Sequence, residues 1–322
     1  MNKKHLRGIK YPEVILLAIV RTDVPMTSQL CDETIQALTA AYPSFCRSEL
    51  LTRTAFDRPV RTLVIGNGPR KVIYTAAHHA NEWITTPVIL EFVEEFAQAL
   101  TTGGQIGGVD AKQLADTATI YTVPMVNPDG VDLVTGAIQP GQLQYETAAQ
   151  LSTRYPNIPF PDGWKANLLG VDLNLQYPAG WLQAREIKFS QGYTHPGPRD
   201  YVGRAPLNQL ESRALAGYTE AIDPALVLAY HTQGKVIYWQ FSDVFVPGAQ
   251  KLGERLAQVS GYSLEDTPYE SAFAGYKDWF IQEFRRPGYT VEVGEGINPL
   301  PLAQFDEIYR DNLPILITAA MG

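Results

Sequence analysis

The chain has 322 residues, 45% of them hydrophobic and 19% charged, with a formal net charge of −8. These are ordinary fractions for a globular protein, and the length is enough to bury a sizeable apolar core. The acidic balance leaves no electrostatic footprint for nucleic acid, while a small cationic or zwitterionic substrate stays open.

Residues 1–30 read as an N-terminal segment that packs on, or precedes, one domain spanning 31–322. Lys3, Lys4 and Arg7 come before the apolar run 14–20, but Pro12 and Glu13 interrupt it, Arg21 ends it, and no small-residue cleavage site follows. It is a poor export signal and too short to cross a bilayer, so a strand or short packed segment is expected, with no membrane insertion. A cytoplasmic location is the expectation, with a secreted or wall-associated one as the alternative. Oligomeric state is left open. Cys31 and Cys46, the two cysteines, are too few for a disulfide framework and read as reduced structural thiols.

Ile35, Leu38, Ala41 and Tyr42 recur at three-and-four spacing and predict an amphipathic helix over 32–42, closed by Pro43. The apolar runs 62–65 and 72–76, parted by Gly66-Asn67-Gly68-Pro69, read as adjacent sheet strands. Thr86 is placed to cap, and Pro87 to open, a helix running to about residue 100 and stopped by Gly103-Gly104. A strand over 118–123 then enters the turn Asn127-Pro128-Asp129-Gly130. Proline and glycine accumulate over 156–163 and 193–206, in long loops of the kind that carry function. A helix over 207–222, a buried strand over 225–230 leading into His231, a helix over 250–259, a strand over 289–293 and a closing helix over 303–319 complete the pattern. Strands alternating with helices predict an α/β fold: a single domain whose mixed, mostly parallel twisted sheet is covered by helices on both faces.

The stretch His78-His79-Ala80-Asn81-Glu82-Trp83 lies between the strand at 72–76 and the following helix. A histidine and a glutamate three residues apart on such a loop can reach one metal ion. Catalytic zinc takes three protein ligands and keeps a further position open. Of the five histidines, His5 sits in the charged tail and His195 in a proline-glycine loop, whereas His231 ends an apolar strand, at the sheet edge where ligands bind in open α/β folds. His79, Glu82 and His231 are therefore the candidate ligands of one Zn²⁺. Taken singly these signals are weak: His-x-x-Glu spacing arises by chance on surface helices, and a histidine at a strand end more often packs than ligates. His78 diverges from its neighbour on an extended segment and reads as a packing residue.

Further motifs follow in order: Asn127-Pro128-Asp129-Gly130, Gly170-Val171-Asp172-Leu173-Asn174, the strand ending in His231, and Val291-Glu292-Val293. Together with the His-Glu stretch they resemble the zinc carboxypeptidase family, the relatives of carboxypeptidase A, over most of the chain from about residue 30. The resemblance implies that fold, zinc bound by His79, Glu82 and His231, Glu292 as general base and then acid, and Asp172 as the carboxylate that orients His79. The chemistry asks for these types independently: zinc lowers the pKa of water from ~15.7 to ~7 and polarises a carbonyl, and a carboxylate must move the proton to the leaving amine. Glu292 ends an apolar strand and suits that task better than Glu295 on the next turn.

Two departures bear on the substrate. The family follows the asparagine of the Gly-Val-Asp-x-Asn motif with an arginine that clamps a terminal carboxylate, whereas Asn174 is followed here by Leu175, a loss worth about 1.5–3 kcal/mol of recognition. Asn81 replaces an arginine within the His-Glu motif, and Lys165 aligns best with the family's polarising arginine, as a point charge without the fork. These features are similar to the bacterial branch that cleaves γ-D-glutamyl–meso-diaminopimelate bonds in murein-derived peptides, so a small wall peptide is the expected substrate partner. Lys277, near the family position that sets side-chain preference, is expected to meet a substrate carboxylate, with Arg204 and Arg285 as other candidates. Asp278-Trp279 matches a family pair 14 residues before Glu292. Tyr269 lies close to where the family carries a mobile tyrosine, and Tyr276 competes for that role. An ordinary metallocarboxypeptidase, a deacylase-type amidohydrolase, or a binding module that keeps the fold without turnover are the rival readings.

Overall fold

The computed structural model describes residues 18–322. His5 and most of the apolar run 14–20 lie outside the described residues. At its described start the chain is tied to the domain: the amides of Ile19 and Val20 each donate to the Glu94 carboxylate at 2.8 Å, and Val20 and Met26 are buried in the core. Helix α1 (Ser28–Ala41) begins earlier than its apolar spacing predicts because Thr27 caps it, accepting from the Leu30 amide at 3.2 Å.

Strands β1 (Cys46–Arg53), β2 (Pro59–Gly66) and β3 (Arg70–Thr75) follow, then α2 (Thr85–Thr102). A small ribbon of β4 (Gln105–Ile106) and β5 (Val109–Asp110) leads to α3 (Ala111–Thr117) and β6 (Ala118–Val123). The irregular middle of the chain carries α4 (Pro128–Val134), α5 (Leu143–Ser152), α6 (Trp181–Ser190) and α7 (Leu210–Ile222). Then come β7 (Leu226–His231), β8 (Val236–Tyr238), α8 (Ala249–Ser260), β9 (Ser263–Glu265), α9 (Tyr276–Phe284), β10 (Gly288–Glu292) and α10 (Phe305–Met321).

The main sheet has the order β1-β2-β6-β3-β7-β10-β8-β9. Its centre, β6-β3-β7-β10, is parallel throughout, while β1, β2 and β8 run antiparallel to their inner neighbours. This is the mixed, mostly parallel sheet of the expectation, with one correction: β2 and β3 are not adjacent, because β6 lies between them. The intervening turn is pressed against the start of β6 rather than closing a hairpin, and a side chain at Gly68 would stand 2.1 Å from the Thr117 backbone. Thr86 also differs from expectation. Its hydroxyl donates to the Pro124 carbonyl at 2.7 Å, and α2 starts without a side-chain cap.

Side chains alternate across the central strands. Val72, Tyr74, Leu226, Leu228 and Tyr230 join one core with α1, α2 and α10, whereas Ile73, Val227 and Ala229 join a second core with α7 and α9. Both faces of the sheet are thus covered, and the free edge that remains for chemistry is the carboxyl end of β3, β7 and β10.

Two stability predictions follow from buried positions beside that edge. A methyl group at Gly130, on α4, would stand 2.5 Å from the Ala166 carbonyl oxygen and 2.8 Å from the Ala80 side chain. Gly130→Ala is expected to cost about 1–3 kcal/mol, seen as a lower urea midpoint at unchanged slope; an unmoved midpoint would contradict that close packing. Glu211, in the first turn of α7, is buried with one carboxylate oxygen lacking a partner, and burial pushes its pKa up to about 7. A carboxyl raised in the folded state costs stability as pH climbs from its unfolded value through 7. Glu211→Gln should therefore melt higher than the parent at pH 8, by about 2–3 kcal/mol, and lose that advantage toward pH 4. An equal gain at both pH values would refute the shift.

Candidate metal centre

Between β3 and α2 the chain makes a tight passage through residues 76–83. Ala77 is fully buried at a left-handed φ of 48°. Its amide donates to Thr85 Oγ1 at 3.0 Å, Thr85 donates in turn to the Glu82 carbonyl at 2.7 Å, and the Asn127 amide donates to the Ala77 carbonyl at 3.0 Å. Such strain costs about 1–3 kcal/mol and persists only where the surroundings over-determine it. The short turn Ala80–Glu82 then folds Glu82 back beside His79.

Asn127 clips this passage to a second loop. Its side-chain amide donates to the carbonyls of His78 at 3.2 Å, Lys165 at 3.2 Å and Ala166 at 3.0 Å, while its oxygen accepts from the Gly130 amide at 3.0 Å. Ala80 completes the join by donating its amide to the Lys165 carbonyl at 3.0 Å.

Three donor groups converge at the sheet edge. His79 Nδ1 lies 2.9 Å from Glu82 Oε1, His231 Nδ1 lies 2.9 Å from Glu82 Oε2, and the two ring nitrogens are 3.2 Å apart. One ligand atom from each residue lies within 4.8 Å of the other two. Two imidazole nitrogens this close can share only one proton, whereas a cation at their common focus satisfies both along with the carboxylate. Two histidines, one carboxylate and an open cavity alongside make a donor set that catalytic zinc takes.

Asp172 places the first of these rings. Its Oδ1 lies 3.1 Å from His79 Nε2 and accepts from the Asn174 amide at 3.1 Å, and its Oδ2 accepts from the Asp200 amide at 3.2 Å. Burial works against an imidazolium at His79, but the carboxylates of Glu82 and Asp172 outweigh it and hold the pKa up at about 9. Burial likewise opposes charge on Glu82, and His79, Lys165 and His231 nonetheless drive its pKa well below the usual carboxylate range. His78 stacks on His231 with ring centres 5.6 Å apart and is kept neutral by burial, the packing residue expected of it.

Glu292 ends β10 directly opposite His231 on β7. Burial, followed by the charge of Glu82, pushes its pKa up to about 8. It lines a cavity of about 210 Å³ together with His79, His231, Lys165, Asn174, Lys277 and Asp278. The Lys165 ammonium lies 2.8 Å from Glu82 Oε1. Lys277 is buried and donates to the Gln240 carbonyl at 2.6 Å and to Thr267 Oγ1 at 3.3 Å. Its ammonium also lies 2.5 Å from Asp278 Oδ1, a buried ion pair. Leu175 occupies the wall beside Asn174.

Other expected residues are not brought there. Arg204 is exposed outside the cavity wall, and Arg285 is exposed as the left-handed cap of α9. Tyr269 is 64% exposed because its turn faces Pro268 and Ser271 to the cavity and lays the ring against Phe273, with its hydroxyl accepting from Gln183 at 2.8 Å. Tyr276 is buried on α9, 2.8 Å from the Thr219 hydroxyl. Glu295 is exposed on its turn. In place of Arg204 the cavity receives Arg199, Asp200 and Lys188, which carry no motif in the sequence beyond their place in a proline-glycine loop.

The sequence profile of the zinc carboxypeptidase family matches residues 31–315. The chain belongs to that family. It is 44% identical over 285 residues to Gamma-D-glutamyl-L-diamino acid endopeptidase 1 of Lysinibacillus sphaericus, covering 88% of this chain and 69% of that protein. It is 36% identical over 273 residues to the uncharacterized protein YqgT of Bacillus subtilis, covering 84% and 70%. Among solved structures, thrombin-activatable fibrinolysis inhibitor shares the fold with a TM-score of 0.74 at 15% identity, over 95% of this chain and 77% of that one. The protein is thus a zinc metallopeptidase of carboxypeptidase fold, and one zinc ion is its cofactor. Among the described residues, no helix is long and apolar enough to cross a membrane.

Removing the orienting carboxylate tests the assembly of this centre. Asp172→Asn is expected to bind zinc about 10–100-fold more weakly in competition with a chelator, because the imidazole loses its partner. Unchanged zinc affinity would separate Asp172 from the metal centre.

Proposed function

We propose that this zinc peptidase hydrolyses γ-D-glutamyl–meso-diaminopimelate bonds in short murein-derived peptides. The observation that carries the reading is the cavity beside the metal centre, where Leu175 stands in place of a carboxylate-clamping arginine and the buried ammonium of Lys277 supplies positive charge instead. A relative named for γ-D-glutamyl-L-diamino acid bonds, 44% identical over most of this chain, supports it.

His79, Glu82 and His231 hold the metal, and Asp172 fixes the His79 ring. Zinc bound there supplies Lewis acidity and a lowered water pKa. Glu292 removes the proton from the attacking water and returns it to the leaving amine, a role its place opposite His231 at the end of β10 and in the cavity wall supports. Lys165 places a positive charge beside the reacting carbonyl, where it stabilises developing negative charge. Lys277 and Asp278, a buried ion pair in the cavity wall, meet the charged end of the diamino acid, the ammonium facing a carboxylate and the carboxylate facing an amine. Recycling of wall peptides in the cytoplasm accords with two buried, unpaired thiols, Cys31 and Cys46.

Glu292→Gln should keep its zinc and lose about 10²–10⁴-fold in kcat; near-normal turnover would place the base elsewhere. The substrate is tested by offering L-Ala-γ-D-Glu-meso-diaminopimelate beside a blocked dipeptide with a free C-terminus. Release of diaminopimelate from the first is expected, and cleavage of the second alone would sink the wall-peptide reading.

A further inference from the structure

The small cavity beside the metal centre adjoins a broader groove of about 750 Å³, and the two share Lys165, Arg199, Tyr238 and Glu292 in their walls. These residues stand where the acyl side of a substrate would meet its leaving side. Lys277 and Lys188 line only the smaller cavity, whereas the cations lining the groove are Lys165 and Arg199. Lys165 is already paired with Glu82.

Arg199 is held in a different way. Its Nε donates to Asp200 Oδ2 at 2.7 Å, and Asp200 Oδ1 lies 2.8 Å from the Lys188 ammonium. The Asp200 backbone is left-handed, with φ 63°, and its amide donates to Asp172, the carboxylate that touches His79. The guanidinium is therefore gripped at one nitrogen by a strained, twice-anchored turn. Its two terminal nitrogens find no acceptor among the described residues, and the side chain is 36% exposed. A braced fork with free donors at a substrate groove is the geometry of bidentate carboxylate recognition.

A γ-linked glutamyl group has a feature that an α-linked residue lacks: its α-carboxylate remains free, a few bonds from the scissile carbonyl, on the acyl side. The rest of the groove mixes the amides of Asn81, Asn157 and Asn298 with Ile158, Ile297 and Pro299 and carries one exposed carboxylate, Asp162, so a substrate carboxylate is met by cations only on the side of Lys165 and Arg199. From this geometry we infer that Arg199 is the specificity-determining residue for that free α-carboxylate, so that it selects γ-glutamyl over α-linked substrates. The inference rests on the γ-glutamyl reading above and adds to it a named receptor for the acyl side.

The test uses the zinc-loaded full chain with two tripeptides, L-Ala-γ-D-Glu-meso-diaminopimelate and the same peptide with its glutamyl α-carboxylate converted to the amide. The parent should prefer the acid by about 10–100-fold in kcat/KM, the range that a charge-assisted pair supplies. Arg199→Gln should bring that ratio close to one, and Arg199→Lys should fall between. The same ratio should appear in peptide affinities measured by calorimetry on the Glu292→Gln protein and vanish in the double variant, with zinc content unchanged. Equal cleavage of acid and amide by the parent would overturn the assignment to Arg199 while leaving the γ-glutamyl reading intact. So would an Arg199→Gln protein that slows on both peptides alike and keeps the parental ratio, which is the mark of a purely structural arginine. Hydrolysis of neither peptide would instead bring down the γ-glutamyl reading, and this inference with it.

Discussion

The buried carboxylate of Glu82 is the constraint around which the site is built. It is almost wholly removed from solvent, and an uncompensated charge in such a place would cost far more than the fold can supply. Positive or proton-bearing groups therefore have to reach it from separate parts of the chain. His79 arrives from the same loop, His231 from the end of β7 and Lys165 from the long middle stretch, with contacts of 2.8–2.9 Å. The arrangement that neutralises the carboxylate is also the one that gathers a zinc donor set.

Holding those arrivals in place is the work of polar groups outside the His79, Glu82 and His231 donor set. Asn127 binds the loop of His79 to the loop of Lys165 through three backbone carbonyls, and Gly130 lets α4 approach both closely enough for that to happen. On the opposite side Asp172 connects His79 to the backbone of Asp200, and Asp200 braces Arg199 against Lys188. The His79 ring and the Arg199 guanidinium are consequently mechanically joined: the turn that braces the guanidinium is anchored on the carboxylate that contacts the imidazole.

Much of the donor set was legible in the amino-acid order. His79 and Glu82 are three residues apart, His231 and Glu292 each end an apolar strand, and in a parallel sheet the ends of neighbouring strands are neighbours in space; the register that pairs His231 with Glu292 follows from that rule. The role of Asn127 was not legible, because its acceptors lie 38 and 39 residues away on a loop without periodicity. Tyr269 and Arg204 illustrate the same limit from the other side. Tyr269 was close in sequence to the expected place and Arg204 was a basic side chain in a glycine-proline loop, yet the direction of an irregular loop decides whether a side chain enters a cavity or leaves it.

Alternation of apolar residues by itself determined an α/β sheet with helices on both faces, and the strand-end His231 together with the order of the motifs pointed to a metal-ligand set at one sheet edge, since the first depends on local periodicity and the second on where parallel strands stop. The insertion of β6 between β2 and β3, the exclusion of Tyr269 and Arg204, and the entry of Arg199, Asp200 and Lys188 were decided only in the tertiary structure. Each depends on contacts between segments far apart in sequence, such as the turn at Gly68 pressed on the start of β6, and on the path of loops whose conformation is set by hydrogen bonds to distant backbone rather than by their own composition.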